Sequence, residues 1–334
     1  MNGPRTALVI ASLLIMTGCA SYAPSGPARA ARPLTDELRQ YYGYPSGEPR
    51  VAMRTTERHP SCTVTEVALT EPGDPEQIRL TWYAPSAPGP SPLILISPIR
   101  GSDTIVVDGC ARIFANQGWH AVIIKRYHRK FDPTGPVSQV EDFLRTAVIR
   151  NRQALDWLVT QPTIDPNRIG AFGISYGAII NAAMAAVEPR IKVNVIDLAG
   201  GPLPGVMKTS DEQSLRRDWD RSCASHELTN KQFYHALQNV VRTDPVKLAP
   251  YVDRDSVLML IARFDRSVPT QYQLKLWRAL GKPRADFVPL GHYTSILALP
   301  AHRQNLMNFF EERFERLATG ETTEHAVLTA NSHD

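Results

Sequence analysis

Five continuous apolar runs, separated by segments of helical length, constrain the fold of this chain most. They occupy residues 92–98, 119–127, 168–175, 193–200 and 256–265. Strands that are buried on both faces of a parallel sheet have this composition, because neither face presents polar residues to water. Helices are predicted near residues 105–117, 139–160, 176–187 and 269–280. Such an alternation predicts an α/β fold with a doubly wound, mostly parallel sheet.

Further segments extend this sheet at both ends of the chain. Residues 62–69 and 78–84 alternate apolar and polar side chains around a turn, which predicts an antiparallel hairpin. Residues 285–291 form a last predicted strand, followed by an amphipathic helix near 295–317. The predicted domain therefore spans residues 60–317.

One interval inside this domain is too long for a simple connection. The segment between the strands ending at Gly200 and starting at Ser256 far exceeds the usual length of a loop between elements. It contains a polar, amphipathic stretch with helical periodicity. We therefore predict that residues 202–254 form an inserted helical cap above the carboxyl ends of the strands.

The N-terminus has the pattern of an export signal. Arg5 precedes an apolar run that is shorter than the roughly 20 residues of a membrane-spanning helix. The run ends in Met-Thr-Gly-Cys at Met16 to Cys19, which resembles the lipobox of bacterial lipoproteins, although Met16 stands where leucine is commoner. The resemblance implies that residues 1–18 are a lipoprotein signal peptide and that Cys19 carries acyl chains such as palmitate. An ordinary cleaved signal with an incidental cysteine is the alternative.

This pattern predicts a cell-envelope protein, held to a bacterial membrane by lipid on the periplasmic face, with the outer membrane favoured. Residues 19–59 are then a tether and N-terminal extension, because residues 20–33 are rich in alanine, proline and serine. Residues 318–334 have no apolar pattern and are predicted to be a flexible tail.

Charge and residue composition indicate which kinds of ligand or partner this chain is not expected to bind. The net charge of +4 is small and spread along the chain, so nothing indicates nucleic-acid binding. The histidines form no metal-ligand constellation and no glycine loop suits a phosphate, so neither a metal nor a cofactor is predicted. Apart from Cys19 the cysteines are Cys62, Cys110 and Cys223, an odd number that permits one disulfide of undetermined pairing or buried free thiols.

Three reactive residue types fall at predicted strand ends, in the order Ser, Asp, His. Ser175 ends the strand that begins at Arg168, Asp265 ends the strand 256–265, and His292 follows the last strand. The carboxyl ends of strands are where ligands bind in such sheets. Asp197 is a rival acid and His302 a rival base, but the first lies inside its strand motif and the second in a helical context.

Gly173-Ile-Ser175-Tyr-Gly177 resembles the nucleophile elbow of the α/β-hydrolase family, and the order of the three residues is that of its triad. The resemblance covers about residues 60–317 and is nearest to the branch of dienelactone hydrolases and prolyl oligopeptidases. It implies that Ser175 attacks a carbonyl carbon, that His292 moves its proton and that Asp265 orients the imidazole. The glycines are required because a side chain at either position would collide with the neighbouring strand and helix.

The same resemblance implies an oxyanion hole. One backbone N–H would come from Tyr176, and the second from Ile99 or Arg100, in a loop where this chain has Pro98-Ile99-Arg100-Gly101 and the family often has His-Gly. Arg100 and the basic residues in 125–130 could bind an anionic substrate group, or could be a solvated basic loop.

These features predict a serine hydrolase that cleaves an ester or related acyl bond of a small-molecule substrate through an acyl-enzyme. A peptidase or an acyltransferase of the same fold is a second possibility. A non-catalytic envelope lipoprotein is a third, from a different functional class.

Overall fold

The computed structural model describes residues 20–100, 105–126 and 131–319, and these ranges fold around one ten-stranded sheet. The strands are β1 (Ala20–Tyr22), β2 (Arg50–Arg58), β3 (Cys62–Thr70), β4 (Ile78–Pro85), β5 (Ser91–Ser97), β6 (His120–Ile124), β7 (Ile164–Ile174), β8 (Ile191–Asp197), β9 (Val257–Ala262) and β10 (Arg284–Val288). Their order across the sheet is β1-β10-β9-β8-β7-β5-β6-β4-β3-β2.

Helices connect and cover the strands. They are α1 (Asp36–Tyr41), α2 (Ile105–Asn116), α3 (Gln139–Leu158), α4 (Tyr176–Val187), α5 (Leu203–Thr209), α6 (Gln213–Ser225), α7 (Asn230–Val240), α8 (Pro245–Leu248), α9 (Thr270–Ala279) and α10 (Leu299–Thr319). Short 3₁₀ helices occupy Ala249–Tyr251, Arg254–Ser256 and Thr294–Ala298. None of the helices within the described ranges is long and apolar enough to cross a membrane.

The six strands from β10 to β6 are parallel, and the predicted α/β class with a mostly parallel sheet is confirmed. Their side chains are buried almost throughout, which explains the continuous apolar runs. Helices α3, α4 and α9 pack on one face of the sheet, and α2 and α10 pack on the other. The β3–β4 hairpin pairs antiparallel to the parallel strands through β4 and β6.

The N-terminal region differs from the predicted tether. β1 pairs antiparallel with β10, and the Arg29 guanidinium donates to the carbonyl oxygens of Ala279 and Ala249 at 2.7 and 2.9 Å. β2 adds an edge strand beside β3. Every residue of β2 is exposed, so its sequence has no one-sided apolar alternation. Residues 20–58 therefore belong to the folded domain, although their composition resembles that of a linker.

The insertion between β8 and β9 has two parts. Helices α5 and α6 contribute side chains to a cavity above the carboxyl ends of the strands. The segment that includes α8 and the following 3₁₀ turns packs against α4, where Leu248, Ala249 and Val252 join the main core. Only the first part of the predicted 202–254 cap thus covers the strand ends.

The second part is held by the Glu141 carboxylate of α3. Glu141 is 5% exposed, and it accepts hydrogen bonds from the Tyr41 hydroxyl and from the backbone N–H groups of Arg242 and Thr243, each at 2.7 to 2.8 Å. The Thr243 hydroxyl also donates to it. One buried anion therefore joins α3, the N-terminal extension and the end of the insertion.

We expect Glu141→Gln to lower the free energy of unfolding by about 2–4 kcal/mol, because the new amide N–H₂ would face donors instead of accepting from them. Chemical denaturation monitored by circular dichroism measures this change. Glu48→Gln is the matched control, since Glu48 is exposed and should tolerate the same substitution. Equal stabilities of the two variants would contradict the role given to Glu141.

Candidate active site

Ser175 lies at the corner between β7 and α4 with an unusual backbone conformation. Its φ of 57° and ψ of −120° place a non-glycine residue in the strained positive-φ region. Its N–H donates to the Asp197 carbonyl oxygen at 2.8 Å, which holds the corner against β8. Strain of this kind persists only where the surrounding structure enforces it.

The two glycines around Ser175 make this corner possible. A Cβ atom at Gly173 would lie 2.6 Å from the Gly177 carbonyl carbon. One at Gly177 would lie 2.7 Å from the Ser97 carbonyl carbon, and would collide with the Ser97 oxygen. Real Cβ atoms do not approach backbone so closely, so both positions require glycine, as the sequence predicts.

The structure brings the three strand-end residues together. His292 Nε2 lies 2.9 Å from Ser175 Oγ, and His292 Nδ1 lies 2.7 Å from Asp265 Oδ2. Both distances are within hydrogen-bond range. Asp265 and His292 lie in the loops that follow β9 and β10, two neighbouring parallel strands. A half-buried hydroxyl, an imidazole and a carboxylate are thus aligned in one chain of hydrogen bonds.

A buried polar layer fixes the carboxylate. Asp265 is 4% exposed, and its Oδ1 accepts from the Val268 N–H at 2.9 Å while its Oδ2 also accepts from Gln273 Nε2 at 2.8 Å. Gln273 is fully buried in α9, and its side-chain oxygen Oε1 accepts a hydrogen bond from the Ala262 N–H. The orientation of the Gln273 amide is therefore fixed from two sides. Gln273 was not among the predicted site residues, because a polar residue in an amphipathic helix gives no sign in the sequence that it faces inward.

The residues predicted to supply oxyanion donors line the same cavity as Ser175. Tyr176 is the first residue of α4, where the N–H groups have no partner inside the helix and the helix dipole favours negative charge. Ile99 and Arg100 line the cavity into which Ser175 opens. The second donor stays open between these two residues.

The rival acid and base form a separate site. His302 Nε2 lies 2.8 Å from Asp197 Oδ2 and His302 Nδ1 lies 2.8 Å from Asp286 Oδ2. His302 is 3% exposed, so this histidine is buried although its helical context is that of a simple surface residue. Burial alone disfavours the charged imidazole, but the two carboxylates, Asp197 above all, raise the pKa of His302 to about 10. The protonated ring therefore joins β8, β10 and α10.

A cavity of about 580 Å³ opens above Ser175. Its walls are mostly apolar and come from α3, α4 and the cap helices; examples are Phe143, Leu144, Ile179, Val206, Met207 and Leu215. The cap is tied to the rim by polar contacts: Arg100 Nη2 lies 3.3 Å from Asp218 Oδ2, and the Tyr293 hydroxyl donates to Glu212. The site is thus an apolar chamber with charged groups at its rim.

Glu212 and Tyr293 keep complementary protonation states at this rim. Burial disfavours ionised Glu212, but hydrogen bonds from Ser267 and Tyr293 and the nearby positive charges hold its pKa below the usual range. The hydrogen bond to Glu212 and partial burial raise the pKa of Tyr293 to about 12. Tyr293, directly after His292, therefore stays a donor to the cap.

Comparison with known proteins identifies the fold. The model of the prolyl oligopeptidase family, Peptidase_S9, matches residues 151–291, which include Ser175 and Asp265 and end just before His292. The structure is similar to acetyl xylan esterase from Paenibacillus sp. R4, with a TM-score of 0.65, 18% identity and coverage of 83% of this chain and 92% of that one. The chain has the α/β-hydrolase fold.

Two further structures are similar at low identity. Acetyl xylan esterase 1 from Thermoanaerobacterium sp. JW/SL YS485 gives a TM-score of 0.62 at 16% identity, with coverage of 79% of this chain and 91% of that one. The acylaminoacyl peptidase of Pyrococcus horikoshii gives 0.54 at 15% identity, with coverage of 76% and 48%. A search of curated protein sequences returned no match.

Several predictions fall wholly or partly outside the described ranges: Cys19, Gly101, residues 1–18, the basic residues 127–130 and the tail beyond residue 319. Cys62, Cys110 and Cys223 are free thiols, and burial raises the pKa of Cys110 to about 12. Within the described part of the chain, no group of histidine, cysteine and acidic side chains could hold a metal ion.

Protonated His302 makes a pH-dependent contribution to stability. Its pKa rises from 6.5 to about 10 on folding, so the contribution is complete below pH 6.5 and disappears as the pH rises through 10. We expect His302→Gln to unfold more easily than the wild type at pH 6 by about 3 kcal/mol, since it leaves two buried carboxylates without a cation.

The difference between wild type and His302→Gln should shrink as the pH is raised from 6.5 to 10. Denaturant titrations across that pH range measure it. His235→Gln, at an exposed position, should show no such pH-dependent difference. A difference for His302→Gln that stays constant with pH would refute the charged bridge.

Proposed function

We propose that this protein is a serine hydrolase that cleaves an ester or related acyl bond through an acyl-enzyme. The observation that carries the proposal is the chain of hydrogen bonds from Ser175 through His292 to Asp265, at the floor of an apolar cavity. Backbone strain at Ser175 supports the proposal, because a simple connection between a strand and a helix does not require a serine with positive φ.

The geometry assigns each group a step. Ser175 Oγ attacks the substrate carbonyl carbon while its proton passes to His292 Nε2. Asp265, buried and held by Gln273 and the Val268 N–H, stabilises the resulting imidazolium through Nδ1. His292 then returns the proton to the leaving alkoxide, which departs as an alcohol. Water attacks the acyl-enzyme by the same route and releases the acid.

Negative charge on the carbonyl oxygen would be stabilised by the Tyr176 N–H and by the N–H of Ile99 or Arg100. Such preorganised donors contribute most where water is excluded. The cap helices α5 and α6 exclude water here, since their apolar residues form part of the cavity wall.

The cavity favours a substrate with an apolar acyl or alcohol part. A volume of about 580 Å³ with aliphatic and aromatic walls is within the size range of small-molecule sites. The acetyl xylan esterases with similar folds support an ester as the scissile bond. The match to the prolyl oligopeptidase family and the acylaminoacyl peptidase neighbour support a peptide or acylamino substrate as the second candidate.

A fluorophosphonate probe, followed by turnover assays, tests this proposal. We expect the probe to label the wild type and to leave Ser175→Ala unlabelled. We expect His292→Ala to lose about 10⁴-fold or more in kcat/KM, because the proton has no acceptor. Hydrolysis of p-nitrophenyl esters of increasing chain length, compared with aminoacyl p-nitroanilides, distinguishes the esterase from the peptidase.

Absence of labelling in the wild type, beside a serine hydrolase that is labelled, would overturn the proposed function. Labelling that survives in Ser175→Ala would overturn the choice of nucleophile. Turnover of the anilides above that of the esters would favour the peptidase.

We also propose that the mature chain is attached to a bacterial membrane through acylated Cys19. The proposal is supported by the apolar run and the Met-Thr-Gly-Cys sequence alone. Since β1 begins at Ala20, directly after Cys19, the acyl chains would lie next to the β1–β10 edge of the domain, without a flexible linker between.

Cys19→Ser tests the anchor. We expect the variant to leave the membrane fraction or to accumulate with its N-terminal segment uncleaved, because the thiol that accepts lipid is missing. Fractionation and mass spectrometry of the N-terminal peptide measure both outcomes. Cys110→Ser is the matched control and should stay in the membrane fraction. Membrane-bound, processed Cys19→Ser protein would exclude the lipoprotein assignment.

A further inference from the structure

A second cavity, of about 440 Å³, lies beside the active-site cavity. It is bounded by α3, α4 and the strand ends of β4, β5 and β6. The two cavities share Arg126, Ala147 and Tyr176 as wall residues. Tyr176 directly follows Ser175 in sequence. A group bound in the second cavity would therefore be separated from the proposed scissile bond only by wall residues such as Tyr176.

The walls of this second cavity carry an excess of positive charge. Its cationic residues are Arg79, Lys125, Arg126 and Arg150, and Glu76 is the acidic residue among its lining. Arg150 pairs with Asp74, and Lys125 lies 3.5 Å from Glu66. Two of the four cations, Arg150 and Lys125, are thus compensated by acids, and the described residues supply no acidic partner for Arg79 or Arg126.

Arg126 is positioned to bind a ligand. Its Nη1 donates to the Arg100 carbonyl oxygen at 2.7 Å, and its guanidinium lies 5.5 Å from the centroid of the Tyr176 ring. These contacts fix the orientation of the guanidinium plane, and the hydrogen bond to Arg100 uses only one of its five N–H groups. The remaining donors of Arg126 have no carboxylate partner among the described residues.

Asn151 of α3 supplies independent evidence for a polar ligand. It is 7% exposed and lines the same cavity, yet no described group forms a hydrogen bond with its side-chain amide. The polar atoms of this amide are not fully enclosed by protein, so its unpaired donor and acceptor are accessible from the cavity. An accessible, unpaired amide in the wall of a cationic cavity can donate to an acceptor on a ligand.

We propose that the second cavity binds a carboxylate group carried by the substrate, and this inference rests on the proposed hydrolase function. The planar fork of an arginine matches the two oxygens of a carboxylate, and the Asn151 N–H₂ adds a third donor. Glu76 reduces the excess charge of the walls, which favours a monoanion over a phosphate dianion. The substrate is then an ester with an apolar part in the first cavity and a carboxylate in the second.

A pair of matched substrates tests this specificity. Mono-p-nitrophenyl glutarate carries a free carboxylate, and p-nitrophenyl pentanoate has the same acyl chain length without one. We expect the wild type to prefer the glutarate by about tenfold or more in kcat/KM, through a lower KM. Arg126→Gln and Asn151→Leu should each reduce that preference severalfold. Arg58→Gln, which removes a charge from the exposed strand β2, should keep it.

Binding without turnover gives a second readout. Ser175→Ala protein should bind monomethyl glutarate more tightly than dimethyl glutarate in calorimetric titrations. Adding Arg126→Gln to that protein should abolish the difference. Because this measurement needs no hydrolysis, it decides the carboxylate site even if the esters are not cleaved.

The outcomes separate the two proposals. Fluorophosphonate labelling and pentanoate hydrolysis without any preference for the glutarate, and with equal binding of the two methyl esters, would overturn the carboxylate site and leave the hydrolase intact. A preference that is unchanged in both Arg126→Gln and Asn151→Leu would also overturn it. Absence of labelling would instead count against the hydrolase function.

Discussion

The close approach of the β7–α4 corner to the end of β5 is the constraint on which the site depends. Gly173 and Gly177 lie so near to each other and to Ser97 that no side chain fits at either position. The approach forces the strained conformation of Ser175 and directs its hydroxyl out of the sheet. It also places the first N–H groups of α4 beside the loop containing Ile99. One backbone contact therefore sets both the nucleophile and its anion-binding surroundings.

The reactive side chains are fixed by two buried polar layers with different partners. Gln273 and the Val268 N–H hold Asp265, which holds His292. The charged His302 bridge joins the end of β8 at Asp197 to the middle of β10 at Asp286, and the Ser175 N–H donates to the carbonyl oxygen of Asp197 in that bridge. Low-dielectric surroundings strengthen both layers, and they make any unpaired member costly. The corner and the triad geometry are thus supported independently of the cap.

Much of this architecture follows from local patterns in the sequence. Continuous apolar runs identify the parallel strands, and glycine spacing identifies the tight corner, because both reflect contacts between near neighbours. The pairing of Asp197 with His302 could not be predicted in this way, since it joins residues far apart in sequence and depends on how α10 docks. β1 and β2 were missed for a related reason: edge strands that bury little side-chain surface have no apolar periodicity.

The charged residues around the proposed site form two groups: those at the rim of the apolar cavity, which contact the cap, and those in the second cavity, which do not. Cap residue Asp218 pairs with Arg100, and Glu212 accepts from Tyr293, so the cap compensates the rim of the apolar cavity. No cap residue lines the second cavity, and Arg126 there keeps donors without an acidic partner in the described chain. Among the described residues Arg100 is paired with Asp218 and Arg126 with no acid, which supports the proposal that a substrate anion binds beside Arg126. The apolar chamber and the cationic cavity then act on different ends of one substrate.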